Sequence, residues 1–177
     1  MGYVLNPFTG QLDNAGSGGS DPAAGFTLAG NIILGENTSL FLDPVLSADG
    51  KYCGITEVVT AGETIAFGEL VYLKASDSQW YLADATAAST SGDVRLAIAV
   101  TTGADNGSMT ILTYGKIRAD AKFPTFTVSA PVHISETAGA VVVAAPTTTD
   151  SVTRRIGFAN TTDELFFNPS NDYYTHT

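Results

Sequence analysis

Along residues 26–168 the apolar positions fall in short runs rich in Val, Ile, Phe and Tyr, interrupted by Gly, Asn and Asp. β-branched and aromatic runs bounded by turn residues mark strands. They are expected at 32–34, 39–42, 54–59, 70–74, 80–83, 97–101, 109–117, 132–135, 141–144, 156–160 and 165–167. Short strands at this spacing predict an all-β fold, a barrel or a sandwich. Ala48-Asp49-Gly50, Ala104-Asp105-Asn106-Gly107 and Thr137-Ala138-Gly139 supply the positive backbone angles that tight connections need. One helical piece is expected at 84–89, stopped by Ser91-Gly92-Asp93.

The strand pattern occurs twice. Leu70-Val71-Tyr72-Leu73 matches Pro131-Val132-His133-Ile134, and Trp80-Tyr81-Leu82-Ala83 matches Ala140-Val141-Val142-Val143. Further on, Arg95-Leu96-Ala97-Ile98-Ala99 matches Arg155-Ile156-Gly157-Phe158-Ala159. The pseudo-repeats span 62–117 and 123–168. One unit alone exposes an apolar sheet face, so two related by a pseudo-twofold are expected to bury those faces against each other. The small residues Ala97, Ala99, Gly157 and Ala159 suit close backbone approach.

Residues 1–25 read differently, as an extended arm with the flexible linker Gly16-Ser17-Gly18-Gly19-Ser20-Asp21-Pro22. Tyr3, Val4, Leu5, Phe8 and Leu12 are large apolar groups on a segment too short to bury them internally, so the arm calls for a partner surface. Asn6-Pro7 marks a turn within it. The β domain then occupies 26–168 and a tail 169–177, where Tyr173 and Tyr174 either pack on a neighbouring subunit or fray.

Composition narrows the functional classes. Eighteen acidic against eight basic residues give a net charge of −10, which repels nucleic acid and anionic membranes. Neither is expected as a partner. Cys53 is the single cysteine, which leaves no internal disulfide or thiolate cluster and fits folding in a reducing cytosol. The first residues lack the basic start and apolar run of a signal peptide, and Asn6 stands where a myristoylation signal has Ser or Thr.

The search for chemistry finds no nucleophile elbow, zinc helix or phosphate loop. His133 lies inside a strand pattern, where a histidine is ordinarily a hydrogen-bonded structural residue, and His176 is near the chain end. Asp84, Asp93, Glu57 and Glu63 are the carboxylates available for acid–base work, but their flanks read as turns. Asp43, Asp49 and Asp105 lack a calcium-loop pattern. No enzyme activity, cofactor or metal is expected. Tyr72, Trp80 and Tyr81 form an aromatic group that is either core or a sugar-stacking platform; the match of Trp80 to Ala140 leaves room for a surface role.

Three segments carry a family resemblance: Val4-Leu5-Asn6-Pro7-Phe8-Thr9-Gly10-Gln11-Leu12-Asp13, Gly62-Glu63-Thr64-Ile65-Ala66-Phe67-Gly68-Glu69-Leu70-Val71-Tyr72-Leu73 and Phe166-Phe167-Asn168-Pro169-Ser170. The chain resembles small virion proteins of tailed bacteriophages, the head decoration or cement proteins, head fibres and tail-fibre components. The resemblance implies a small β-barrel or β-tulip domain, a homotrimer, and an arm through Tyr3, Val4, Leu5, Asn6, Pro7, Phe8 and Leu12 that docks on the major capsid protein or another virion protein. It implies assembly in the host cytoplasm and a place on the outer surface of the particle. The alternative is a tail-fibre or tail-tip domain that binds a host-surface glycan, with Tyr72, Trp80, Tyr81, Tyr173 and Tyr174 as glycan or subunit contacts. A repetitive shaft and coiled-coil heptads are lacking, which favours decoration or a short fibre.

Overall fold

The structure is a computed structural model that describes residues 3–5, 12–14, 36–37 and 39–177. The chain divides into two compact units, Met1–Leu40 and Phe41–Thr177. In the first, β1 (Tyr3–Leu5) pairs antiparallel with β2 (Leu12–Asn14), Leu5 opposite Leu12. The two described pieces of the arm thus run in opposite directions. The strand expected at 32–34 lies outside the described residues.

The second unit is almost entirely strand: β3 (Lys51–Thr60), β4 (Leu70–Lys74), β5 (Gln79–Leu82), β6 (Leu96–Ala99), β7 (Ser108–Arg118), β8 (Pro131–Ile134), β9 (Val141–Val142), β10 (Val152–Thr153), β11 (Arg155–Ala159), β12 (Glu164–Phe167) and β13 (Tyr174–Thr175). The single short helix is α1 (Ala88–Ser91). An antiparallel sheet in the order β5-β4-β6-β7-β12-β11-β8-β9, with β3 on β7, curls into a half-barrel. The expected all-β class is what the chain adopts.

The sheet order is one strand order written twice, mirrored about the β7–β12 junction. Hydrogen bonds repeat with it. Gly68 N donates to Ala99 O at 2.8 Å and Ala99 N to Glu69 O at 2.9 Å, as Ser129 N does to Ala159 O at 2.8 Å and Ala159 N to Ala130 O at 2.9 Å. Gly68 and Ser129 both have positive φ, 83° and 69°, and Ser78 and Gly139 form a second such pair at 59° and 74°. Register corrects the alignment read from sequence. Leu73 lies opposite Trp80 and Ile134 opposite Val141, so Trp80 corresponds to Val141 and not to Ala140. Leu73 N bonds Arg95 O and Ile134 N bonds Arg154 O, which equates Arg95 with Arg154 and Leu96 with Arg155. An irregularity between Arg155 and Gly157 restores the expected Ala97–Gly157 match.

The two repeats do not bury like faces. Leu70, Leu96, Ile98 and Leu112 of the first repeat enter the larger core, where they meet Val132, Ile134 and Val141 of the second, the counterparts of Val71, Leu73 and Trp80. Val71, Trp80, Ala97 and Ile111 lie on the other face of the first repeat, in a smaller core closed by Ala61 and Ile65. The cause is a bulge. Leu112 stands opposite Thr56 and Tyr114 opposite Ile55, leaving Thr113 unpaired. Strand side chains alternate with period two, so one extra residue inverts inside and outside for everything beyond it. The face that is core in the first repeat is turned outward in the second, where it carries Pro131, His133, Arg155 and Phe158. This replaces the expected pseudo-twofold packing of equivalent faces.

Other expectations shift locally. Residues 39–42 form no strand; the following Asp43 and Pro44 carbonyls accept hydrogen bonds from Lys116 Nζ, each at 2.7 Å. The helix starts at Ala88 instead of 84, because the Asp84 carboxylate accepts from Thr86 N at 2.8 Å, a local turn that competes with helix formation. The tail is not frayed: β13 pairs with β10, and Ser170 N donates to Arg155 O at 2.9 Å.

Candidate functional site

Tyr3–Leu5 and Leu12 of the expected docking arm lie in the β1–β2 pair, whereas Asn6, Pro7 and Phe8 lie outside the described residues. Of the two readings left open for the aromatic group, core and sugar platform, Trp80 takes the first. Trp80 is 3% exposed and belongs to the smaller core, so its ring offers no stacking face. Tyr72 and Tyr81 sit opposite each other across β4 and β5 with ring centroids 6.3 Å apart. Tyr81 Oη donates to Asp77 Oδ2 at 3.0 Å, and Lys74 Nζ lies 4.3 Å above the Tyr81 ring. The bond to Asp77 raises the Tyr81 pKa, and burial raises that of Tyr72. Tyr81 is thus held in a local polar cluster, while Tyr72 packs against the larger core. Tyr173 and Tyr174 remain exposed at the C-terminal segment.

The strand pattern marked 54–59, within β3, but did not reveal that β3 lies at an edge. Its ten residues are exposed or half-buried throughout, with Ile55 at 62% and Val58 at 75%. Registers show why. β3 covers one edge of β7 along its length, while β6 and β12 share the opposite edge, at Ile111–Leu112 and at Gly115–Arg118. At its C-terminal end β3 comes near β5, with Val59 packed against the smaller core and Ala61 bridging to Trp80; among the described residues its ladder hydrogen bonds go to β7 alone. A long edge strand with apolar side chains and an unpaired row of backbone groups is a template for association unless something covers it. The neighbouring outward face continues the apolar character: Tyr114 packs edge-on to Phe166 at 5.3 Å, and Phe158 lies in the same row as Phe166. Periodicity marks a strand but not which strands pair, so it could not place β3 at an edge.

Polar chemistry is concentrated on the outward face of the second repeat. Burial lowers the His133 pKa; the backbone at Val143 opposes that shift, and the Arg155 cation adds a smaller push downward. Its folded-state pKa therefore lies below the ~6.5 of an unfolded chain. Above that value both states are neutral and nothing is lost; as pH falls through it the unfolded state takes up the proton first, and stability declines until the folded pKa is reached. The urea midpoint is expected to fall between pH 7.5 and 5.5, and less so in His133→Asn. Equal slopes for the two proteins overturn this.

Among the described residues no group of three or more His, Cys, Asp or Glu is placed to hold a metal ion. Comparison with protein-family models and with curated proteins finds no match for this chain.

Proposed function

We propose that this protein is a structural component of a tailed-bacteriophage particle, a capsid decoration or cement protein or a short head fibre. In this reading it attaches through its N-terminal arm to the major capsid protein or another virion protein, and it acts as a homotrimer without catalytic activity. The observation that supports it most directly is the exposed apolar edge of β3 beside the Tyr114–Phe166 face, the kind of surface that a subunit neighbour covers. In a ring of three, each edge meets a different patch on the next copy, and the contact closes after three steps. A net charge of −10 per chain suits an exposed, soluble knob.

Light scattering on the full chain is expected to give a trimer mass, and Ile55→Lys with Val58→Glu to give a monomer with unchanged far-ultraviolet dichroism. Deletion of residues 1–25 is expected to leave the trimer intact and abolish co-sedimentation with phage heads. A monomeric wild-type protein, or an armless variant that still sediments with heads, overturns the reading. The alternative of a glycan platform on Tyr72, Trp80 and Tyr81 loses its central group, since the Trp80 ring is buried.

A further inference from the structure

We infer that the second repeat carries a binding site for a neutral sugar ring, formed by His133, Thr153, Arg155, Asp172, Tyr173 and Tyr174. The site is independent of the particle reading and of the aromatic group on β4 and β5.

These residues, with Ser170, line a pocket of about 230 Å³ where the C-terminal segment folds back beside β8 and β11. That is below the ~300–1,000 Å³ of sites for larger organic ligands and suits one ring. It exists because the bulge in β7 turns this face outward. At the positions where the first repeat places Tyr72 and Leu96 against the larger core, the second has His133 and Arg155.

Two polar atoms at this site have no hydrogen-bond partner, His133 Nδ1 and Thr153 Oγ1, and Thr153 is only 4% exposed. Buried polar groups are seldom left unpaired, and those that are call for an explanation. Both atoms are enclosed in the wall of the pocket, so a ligand meets them only when the side chains turn toward it; a sugar hydroxyl, which both donates and accepts, then pairs with either.

The charges select against an ionic ligand. Arg155 has no ion-pair partner among the described residues, and its guanidinium is held 4.7 Å from the Phe158 ring. Asp172 stands on the opposite side of the account: its carboxylate repels an anion, and Arg155 repels a cation. A neutral polyol uses both, accepting from the guanidinium and donating to the carboxylate. The rings of Tyr173 and Tyr174 supply the flat apolar surface against which a pyranose face packs, and Tyr174 is 59% exposed and free to do so.

The test is amide chemical-shift mapping on the full chain. The probes are the methyl pyranosides of glucose, galactose, mannose and N-acetylglucosamine, plus methyl glucuronide, each up to about 50 mM, since one ring in a shallow site binds in the millimolar range. At least one neutral glycoside is expected to shift the amides of His133, Tyr173 and Tyr174 saturably and leave those of Tyr72 and Tyr81 in place. Tyr174→Ala and Arg155→Gln, both on exposed positions, are each expected to weaken that binding at least about fivefold while the rest of the spectrum is unchanged. No saturable shift with any neutral probe, binding of the glucuronide alone, or binding unaltered in both variants overturns the proposal.

Discussion

Arg154→Met is expected to destabilise the second unit by about 3–5 kcal/mol, the loss when a few buried carbonyls are left without a donor. Arg154 is 5% exposed and forms no ion pair among the described residues. Its charge is solvated by carbonyls instead. Nη1 donates to Ser91 O at 3.1 Å, to Val94 O at 2.8 Å and to Gly92 O, while Nε donates to Ser170 O at 2.8 Å. Burial lowers its pKa from the usual arginine value, with Asp93 and Tyr173 opposing that shift. One side chain thus joins the end of α1, the approach to β6 and the C-terminal segment. Methionine fills part of the volume but leaves several carbonyls without donors, at about 1–3 kcal/mol for each that water does not reach. Thermal unfolding is expected to shift down by about 10 °C or more. Arg118→Met removes solvent-screened pairs with Asp120 and Asp163 and is expected to leave the unfolding midpoint nearly unchanged. Equal losses in the two variants would show that the carbonyl cluster has no special role.

Gly115→Ala is expected to be nearly as damaging, at about 2–6 kcal/mol, from backbone strain of ~1–3 and overpacking of ~1–3 kcal/mol. Gly115 has φ +138° and faces Gly54 across β3 and β7. A methyl group there would lie against Cys53 O and 2.6 Å from Gly54 Cα, both backbone atoms that no rotamer change can move aside. The two glycines let the strands approach next to the bulge that inverts the second repeat. Gly50→Ala is the control: its φ is +72°, but nothing lies within 4 Å of the added carbon. It is expected to cost only the ~1–2 kcal/mol of a left-handed L-residue. Urea denaturation measures both, and a Gly115 variant no worse than the Gly50 variant would refute the close-approach argument.

Local composition was sufficient to locate most ladder strands. β4 coincides with its expected span, and β7, β8, β11 and β12 lie within a residue or so of theirs, because β-branched and aromatic runs between Gly and Asp turns have few other ways to hide apolar surface. The duplication was legible too, and the repeated strand order and turn angles bear it out. Its alignment was not. Trp80 on Ala140 and Arg95 on Arg155 looked right letter by letter, yet register moves each by one residue, and in a strand one residue is the difference between core and solvent. The short β10 and β13 escaped notice since two-residue strands have no periodicity to detect.

The candidate surfaces divide along the same line. Apolar content marked Tyr173 and Tyr174 but could not distinguish them from Trp80, whose burial depends on Ala61 and Ile65 arriving from elsewhere in the chain. By itself the sequence determined an all-β chain with an internally repeated unit, since strand propensity and turn chemistry act over a few neighbouring residues. Tertiary structure alone decided which face of each repeat is core, through the bulge at Thr113, and so placed His133 and Arg155 beside the C-terminal tyrosines. It also left β3 at an edge, for edge position is a property of which strands find partners and of nothing within the strand.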